Sequence, residues 1–196
     1  MIWGLGPRVL VLLLFLVIAN TGFAAGRVHP HGLAICSVII LEMSEGKVSP
    51  QKAAEISHAI ALAANRHFGR VTCGEMWLYM AIAYVESGFR SVTNYQNCRG
   101  MFQVHAPSWA RKFGVSYKDL LDTSINADAG IRVYKYYLER YGQILPALSA
   151  YNSDHPHAAT GYARAVLGAR KRIQKRYTEL YRAFHSNDPV ARLPVM

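Results

Sequence analysis

One acidic residue stands out because a long apolar run leads directly to it. Glu86 follows eleven residues of which ten are apolar, Glu75 being the exception. At the C-terminal end of a helix, the helix carbonyls and an apolar environment both favour the protonated form of a carboxyl group. A carboxylic acid that stays protonated near neutral pH is what a general acid requires. The ordinary alternative is a helix-end glutamate whose carboxylate faces solvent.

Short motifs follow the apolar run in a fixed order. They are Glu86-Ser87-Gly88-Phe89, the segment from Gly100 to Gln103, Ser124-Ile125-Asn126 with Ala129-Gly130, Ala150-Tyr151-Asn152, and Tyr162. Each motif is weak by itself, but the ordered set resembles the soluble lytic transglycosylase (SLT) family. The resemblance extends over roughly residues 75–170.

The resemblance implies a mainly α, lysozyme-like helical domain built around a central buried catalytic helix. It also implies cleavage of the β-1,4 bond between N-acetylmuramic acid and N-acetylglucosamine in peptidoglycan, with Glu86 as acid and base and with no cofactor. By the same resemblance, Ser87 orients the acid and Tyr162 contacts the acid or the sugar. The residues implied to bind substrate are Ser87, Gly100, Met101, Phe102, Gln103, Tyr151, Asn152 and Tyr162.

Two walls of a sugar cleft are part of this implied site. Met101, Phe102 and Gln103 resemble one wall, and Tyr151 and Asn152 resemble the other, with Tyr151 reaching toward the acid. Many family members have Leu-Met-Gln after the glycine, so the phenylalanine in this chain is expected to add an aromatic ring at the cleft. The Ala-Gly that often follows Tyr-Asn is replaced by Ser-Asp at positions 153–154, which changes the loop beside the cleft.

The spacing of the carboxylates bears on the reaction type. Glycoside hydrolysis ordinarily uses two carboxyl groups that flank the scissile bond, yet no Asp or Glu occurs between Glu86 and Asp119. One carboxyl suffices if the C6 hydroxyl of the sugar is the nucleophile, which gives a 1,6-anhydro product. The alternatives are a goose-type lysozyme-like hydrolase, with Asp154 activating water, or a peptidoglycan-binding module without catalysis.

Helical patterns dominate the part of the chain that must position these residues. The helix from Glu75 to Ser87 is apolar on almost every face and is therefore expected at the centre of the domain. No alternating pair of strands is visible, and residues 89–105 read as an irregular polar segment. The other predicted helices cover 33–45, 50–69, 107–113, 117–121, 126–141, 145–152 and 158–184, with Ser49 and Pro50 beginning the second.

Composition limits the class of protein. The hydrophobic fraction of 52% excludes a disordered chain, and 196 residues suit one domain. The formal net charge of +10 favours an anionic partner. Because export is predicted and no nucleic-acid-binding motif is present, we expect that partner to be the cell wall rather than DNA or RNA.

The N-terminus predicts export. Arg8 precedes an unbroken apolar run from Val9 to Ala19, and small residues follow as far as Ala25. This pattern is typical of a secretory signal peptide over residues 1–25, cleaved after Ala24 or Ala25, and the run is too short to cross a bilayer of about 30 Å. An uncleaved anchor is the alternative.

Export and size together suggest where the protein acts and with what. We expect a domain over residues 26–185, a tail over 186–196, and the periplasm of a Gram-negative bacterium as the location. The small size resembles that of family members that open the wall for secretion or conjugation machines.

Cysteines and histidines leave further questions open. Cys36, Cys73 and Cys98 allow one disulfide in an oxidising compartment, and pairing of Cys36 with either of the others is at least as plausible as a Cys73–Cys98 bridge. Three reduced thiols are the remaining alternative. The His29/His31 and His155/His157 pairs have no third ligand fixed by spacing, so no metal site is expected.

Overall fold

The structure is a computed structural model that describes residues 30–69, 72–94 and 96–185. Helices account for most of these residues, so the predicted mainly α class is confirmed. In chain order the elements are α1 (Pro30–Met43), α2 (Pro50–Phe68), α3 (Cys73–Ser87), β1 (Cys98–Arg99), β2 (Val104–His105), α4 (Ala106–Phe113), a 3-10 turn (Asp119–Leu121), α5 (Thr123–Tyr141), α6 (Ile144–Ser153) and α7 (Thr160–His185).

Helix α3 lies at the centre of the bundle, as its apolar sequence predicts. Met76, Met80 and Ile82 are completely buried, and the helix packs against α7, α2 and α1. At its start the Thr72 backbone N–H donates to the Glu75 carboxylate at 2.7 Å, which satisfies one of the free amides of the first turn. Gly88 ends the helix with a φ of 61°, a left-handed conformation that glycine adopts without strain.

Pairs of helices distant in sequence hold this centre in place. Helix α2 packs along α5, and α3 packs along α7, while α6 contacts both α5 and α7. Ser49 accepts a hydrogen bond from the Lys52 backbone N–H at 3.2 Å and Pro50 occupies the first turn of α2, as the sequence predicts. The bundle therefore fixes the C-terminal end of α3 against the first turns of α7.

A small hairpin differs from the irregular segment predicted from the sequence. Strands β1 and β2 pair antiparallel, with Cys98 opposite His105 and Arg99 opposite Val104. Each strand has two residues, which is too short to produce the alternation by which a strand is recognised in a sequence. The hairpin turn spans residues 100–103.

One side chain of α5 holds the hairpin turn. Asn126 accepts a hydrogen bond from the Phe102 backbone N–H at 2.8 Å, and its amide donates to the carbonyls of Arg99 and Leu120 at 2.8 and 2.9 Å. Gly100 approaches so closely that an added Cβ would lie 2.2 Å from the Asn126 side chain. The turn is therefore fixed through its backbone.

The predicted signal peptide over residues 1–25 and the predicted tail over residues 186–196 lie outside the described residues. Among the residues that the structure does describe, no helix combines the length and apolarity needed to cross a membrane.

Close contact between α5 and the hairpin generates a stability prediction. An alanine Cβ at Gly130 would lie 2.4 Å from the buried Phe102 ring, whereas one at Gly168 of α7 would meet nothing within 4 Å. We expect Gly130→Ala to lower the free energy of unfolding by about 1–3 kcal/mol through overpacking. Gly168→Ala, the matched control, should raise it by up to about 1 kcal/mol because alanine favours the helix.

Urea unfolding of both variants measures these changes. Equal stability of the Gly130→Ala variant and the wild type would contradict the close packing of Phe102 on α5.

Candidate active site

The carboxyl group of Glu86 borders a cavity of about 390 Å³ beside the hairpin. We call this cavity the cleft, and its lining includes Glu86, Gln103, Trp109, Tyr151, Asn152 and Asp154. Glu86 also borders a second cavity of about 400 Å³, the outer cavity, which Lys47, Tyr84 and Arg90 help to line. Glu86 is therefore a lining residue of two cavities.

A tyrosine from a distant helix contacts the acid directly. The Tyr162 hydroxyl, on the first turn of α7, donates a hydrogen bond to Glu86 Oε1 at 2.6 Å. The Tyr151 ring lies parallel to the Tyr162 ring, with centroids 6.5 Å apart and planes 4° apart. The implied contact of Tyr162 with the acid is thus present in the structure.

Burial sets the acidity of Glu86. Glu86 lies at the end of α3 and is only partly exposed, where it lines the cleft. Loss of solvation raises its pKa from 4.5 to about 7, while the hydrogen bond from Tyr162 acts in the opposite direction and lowers the pKa. At neutral pH both the acid and the carboxylate are therefore populated, which suits a group that must donate and then accept a proton.

Ser87 acts on the site through the hairpin. Its buried hydroxyl donates to the Met101 carbonyl at 2.8 Å and to the Ala83 carbonyl at 3.2 Å. The resemblance implies that this residue orients Glu86, but its hydrogen bond to Met101 joins the end of α3 to the hairpin turn, and its contact with Ala83 stays within α3. Tyr151 likewise donates to the Phe102 carbonyl at 2.8 Å rather than to Glu86.

The hairpin turn contributes less side-chain surface to the cleft than its sequence suggests. Met101 is 2% exposed and Phe102 is fully buried, so the expected aromatic ring packs in the core against Gly130. Gln103 does line the cleft, and its side-chain amide donates to the carbonyls of Val92 and Gly100 at 3.0 and 2.8 Å. The implied wall is therefore formed by Gln103, with its neighbours as support.

Sequence reasoning missed part of the opposite wall. Trp109 of α4 lines the cleft, and its only sequence signal was its place on the apolar side of a short amphipathic helix. Asp154, which the sequence analysis did name as the water-activating residue of the hydrolase alternative, ends α6 with a φ of 60° and accepts a hydrogen bond from the Tyr137 hydroxyl. The cleft thus contains a second carboxylate, supplied from 68 positions further along the chain.

Cys98 also borders the cleft, where burial raises the pKa of its thiol. Because Cys98 is a free thiol in the structure, the pairings of Cys98 with Cys36 or Cys73 that the sequence allowed are not formed. The Cys73 side chain lies outside the described part of the structure, so pairing of Cys36 with Cys73 stays a prediction. Within the described residues, no group of three or more His, Cys, Asp or Glu side chains is placed to hold a metal ion.

The segment that builds this site matches a family model. Residues 74–166, slightly less than half of the chain, match the family described as the Transglycosylase SLT domain. The matched segment contains Glu86, the hairpin, Asn126, Tyr151 and Tyr162. Together with the helices, the match confirms the predicted mainly α, lysozyme-like fold and supports the SLT family. No curated protein and no solved structure matches the chain.

Burial of Glu86 predicts a stability cost that depends on pH. Because its pKa is higher in the folded protein than the ordinary 4.5, ionisation opposes folding: the cost is absent below pH 4.5, grows as the pH rises, and is complete above about pH 7. Glu86→Gln removes this cost. We expect its gain in free energy of unfolding to be about 2 kcal/mol larger at pH 8 than at pH 5, measured by urea unfolding.

Glu55→Gln is the control, because Glu55 is exposed on α2. Its effect should differ between the two pH values by less than about 0.5 kcal/mol. The same gain for Glu86→Gln at both pH values would argue against burial of the carboxyl.

Proposed function

We propose that this chain is a peptidoglycan lytic transglycosylase of the SLT family, since the segment that carries the candidate site is the segment that matches the family model. The observation that carries the proposal is Glu86, whose carboxyl has a pKa of about 7 and accepts a hydrogen bond from Tyr162, and which lines two cavities.

The first step is proton donation to the glycosidic oxygen. Protonated Glu86 gives its proton to the oxygen of the β-1,4 bond, and the bond between that oxygen and C1 of N-acetylmuramic acid breaks. The N-acetyl group of the same sugar stabilises the positive charge at C1. The carboxylate that remains on Glu86 keeps the hydrogen bond from Tyr162, which favours its charged form.

The second step closes a ring within the sugar. The C6 hydroxyl attacks C1 and its proton passes to the Glu86 carboxylate, which restores the acid. The product is a 1,6-anhydro sugar, and no water is consumed. The nucleophilic C6 hydroxyl and the electrophilic C1 belong to the same sugar. The protein therefore needs to hold that sugar in one conformer and does not need to bring in a second reactant.

The arrangement of the cavities supports a polymeric substrate. Glu86 lines both the cleft and the outer cavity, so the sugar units that flank the scissile bond would each have a cavity beside the acid to occupy. The net charge of +10 favours a carboxylate-bearing polymer such as peptidoglycan.

The proposal includes a location and a biological setting. The signal-peptide pattern at residues 1–25 supports export to the periplasm. Local opening of the wall for a secretion or conjugation machine is the setting that analogy with other family members suggests. Both points rest on the sequence pattern and on family analogy.

Hydrolysis is the second candidate function because the cleft holds a second carboxylate. Asp154 lines the same cavity as Glu86, and the Tyr137 hydroxyl donates a hydrogen bond to it. In that case Asp154 would activate a water molecule for attack at C1, as in a goose-type lysozyme. A module that binds peptidoglycan without cleaving it is the remaining alternative.

Product analysis distinguishes these functions. We expect the purified protein to release muropeptides that are one water lighter than the hydrolysis products and carry 1,6-anhydro ends, as measured by mass spectrometry of digested peptidoglycan. Products with ordinary reducing ends would show that the protein is a hydrolase and not a transglycosylase. Binding of peptidoglycan without release of any muropeptide would show that the protein is a binding module without catalytic activity.

Two variants sharpen the result. Glu86→Gln should reduce the cleavage rate by at least about 100-fold, because the amide cannot transfer the proton. Asp154→Asn should leave the anhydro products and most of the cleavage rate unchanged. If the protein were a hydrolase that uses Asp154 to activate water, the same substitution would remove its activity. Retention of activity by the Glu86→Gln variant would refute the assignment of the acid.

The hydrogen bond from Tyr162 predicts a shift of the pH profile. This bond lowers the pKa of Glu86, so Tyr162→Phe should raise that pKa and move the alkaline limb of kcat/KM upward from about pH 7. We expect a shift of about one pH unit. Tyr181→Phe, on the exposed face of α7, is the control and should keep the wild-type profile. An unchanged or lowered limb in the Tyr162→Phe variant would show that the bond does not tune the acid.

A further inference from the structure

A third cavity shares one side chain with the cleft. This cationic cavity, of about 470 Å³, is lined by residues that include Trp109, Lys112, Phe113, Arg132, Lys135 and Glu139. Trp109 borders both this cavity and the cleft, and the cationic cavity does not include Glu86. A ligand in the cationic cavity can therefore lie beside a ligand in the cleft, with the indole ring between them.

The cavity has an excess of positive charge. Lys112, Arg132 and Lys135 face a single carboxylate in the lining, that of Glu139. Lys135 Nζ lies 3.6 Å from the Glu139 carboxylate and donates a hydrogen bond to the His67 carbonyl at 2.7 Å. Lys135 and Glu139 therefore already have partners within the protein. His67 on α2 is itself hydrogen-bonded to Asp128 at 2.9 Å, and Arg66 contacts the same carboxylate.

Lys112 and Arg132 rest on aromatic rings. Lys112 Nζ lies 4.5 Å from the centroid of the Trp109 ring, and the Arg132 guanidinium carbon lies 4.3 Å from the centroid of the Phe113 ring. Trp109 and Phe113 are stacked with centroids 5.4 Å apart. A ring face holds a cation in place without neutralising it, and the N–H groups at the edge of a guanidinium stay able to bind a carboxylate.

These features specify the ligand. Two oriented cations beside stacked rings suit a carboxylate attached to a chain with some apolar surface, which is the chemistry of a short acidic peptide. Peptidoglycan carries such peptides as branches on N-acetylmuramic acid. This is the sugar at whose C1 the proposed reaction breaks the glycosidic bond. The shared Trp109 places the cationic cavity within reach of a branch on a glycan in the cleft.

We propose that the cationic cavity binds a carboxylate of the peptide branch while the glycan strand occupies the cleft. This inference rests on the proposed function for its choice of substrate. It makes the protein selective for strands that still carry peptides over strands from which the peptides have been removed.

A binding experiment tests the inference separately from catalysis. Every protein carries Glu86→Gln, so that glycan strands stay intact, and affinity for fluorescently labelled glycan strands is measured by anisotropy. One set of strands keeps its peptide branches, and the other has had them removed by an amidase. The cavity variant adds Lys112→Gln and Arg132→Gln. The control variant adds Lys171→Gln and Lys175→Gln, which remove the same charge from exposed positions on α7.

The expected result is a preference for branched strands that only the cavity variant loses. We expect its affinity for branched strands to fall about fivefold, as the loss of two partly exposed ion pairs predicts, with affinity for stripped strands unchanged. The control variant should keep the preference, and thermal unfolding should show that both variants are folded.

Two results would overturn the inference. One is equal binding of branched strands by the cavity and control variants, and the other is the absence of any preference for branched strands in the parent. Neither depends on turnover, so a wild-type protein that cleaves no peptidoglycan would refute the proposed function without deciding the role of the cavity.

Discussion

The hydrogen bond between the Tyr162 hydroxyl and the Glu86 carboxyl is the contact on which the rest of the site depends. It joins the last turn of α3 to the first turn of α7, across 76 positions of sequence. Burial raises the pKa of the carboxyl and the tyrosine restrains that rise, so the two effects together bring the pKa to about 7. A pKa far from 7 would favour one proton transfer at the expense of the other.

The same burial serves both the fold and the chemistry. Helices α7, α2 and α1 pack on the apolar faces of α3 and bury its middle turns. That packing stabilises the domain through the hydrophobic effect and also removes water from the end of the helix, where Glu86 lies. Mutations that loosen the packing of α3 would therefore change the acidity of Glu86 as well as stability. The fold tolerates the cost of one buried carboxyl because the surrounding apolar contacts are extensive.

Local features of this fold could be predicted from the sequence, and contacts between distant segments could not. Glu86 was recognisable because its apolar run is continuous, and Ser49 was recognisable because a helix cap is a local signal. The hairpin was missed because two-residue strands have no period. The burial of Phe102 was missed because it depends on the lack of a side chain at Gly130, on another helix. Trp109 reaches the cleft only through the packing of α4, which no motif encodes.

The side chains that hold the hairpin turn bind its main-chain atoms: Asn126 binds the Phe102 N–H, and the Ser87 and Tyr151 hydroxyls bind the Met101 and Phe102 carbonyls. Asn126 contacts the backbone of Phe102, Arg99 and Leu120, and none of these three hydrogen bonds depends on the identity of the residue it reaches. The fold therefore separates this anchoring from the identity of the turn side chains, of which Met101 and Phe102 are buried and Gln103 is partly exposed. Gln103 is the turn residue whose side chain lines the cleft, so variation at this position would alter the cleft while Asn126 keeps the main chain of the turn in place.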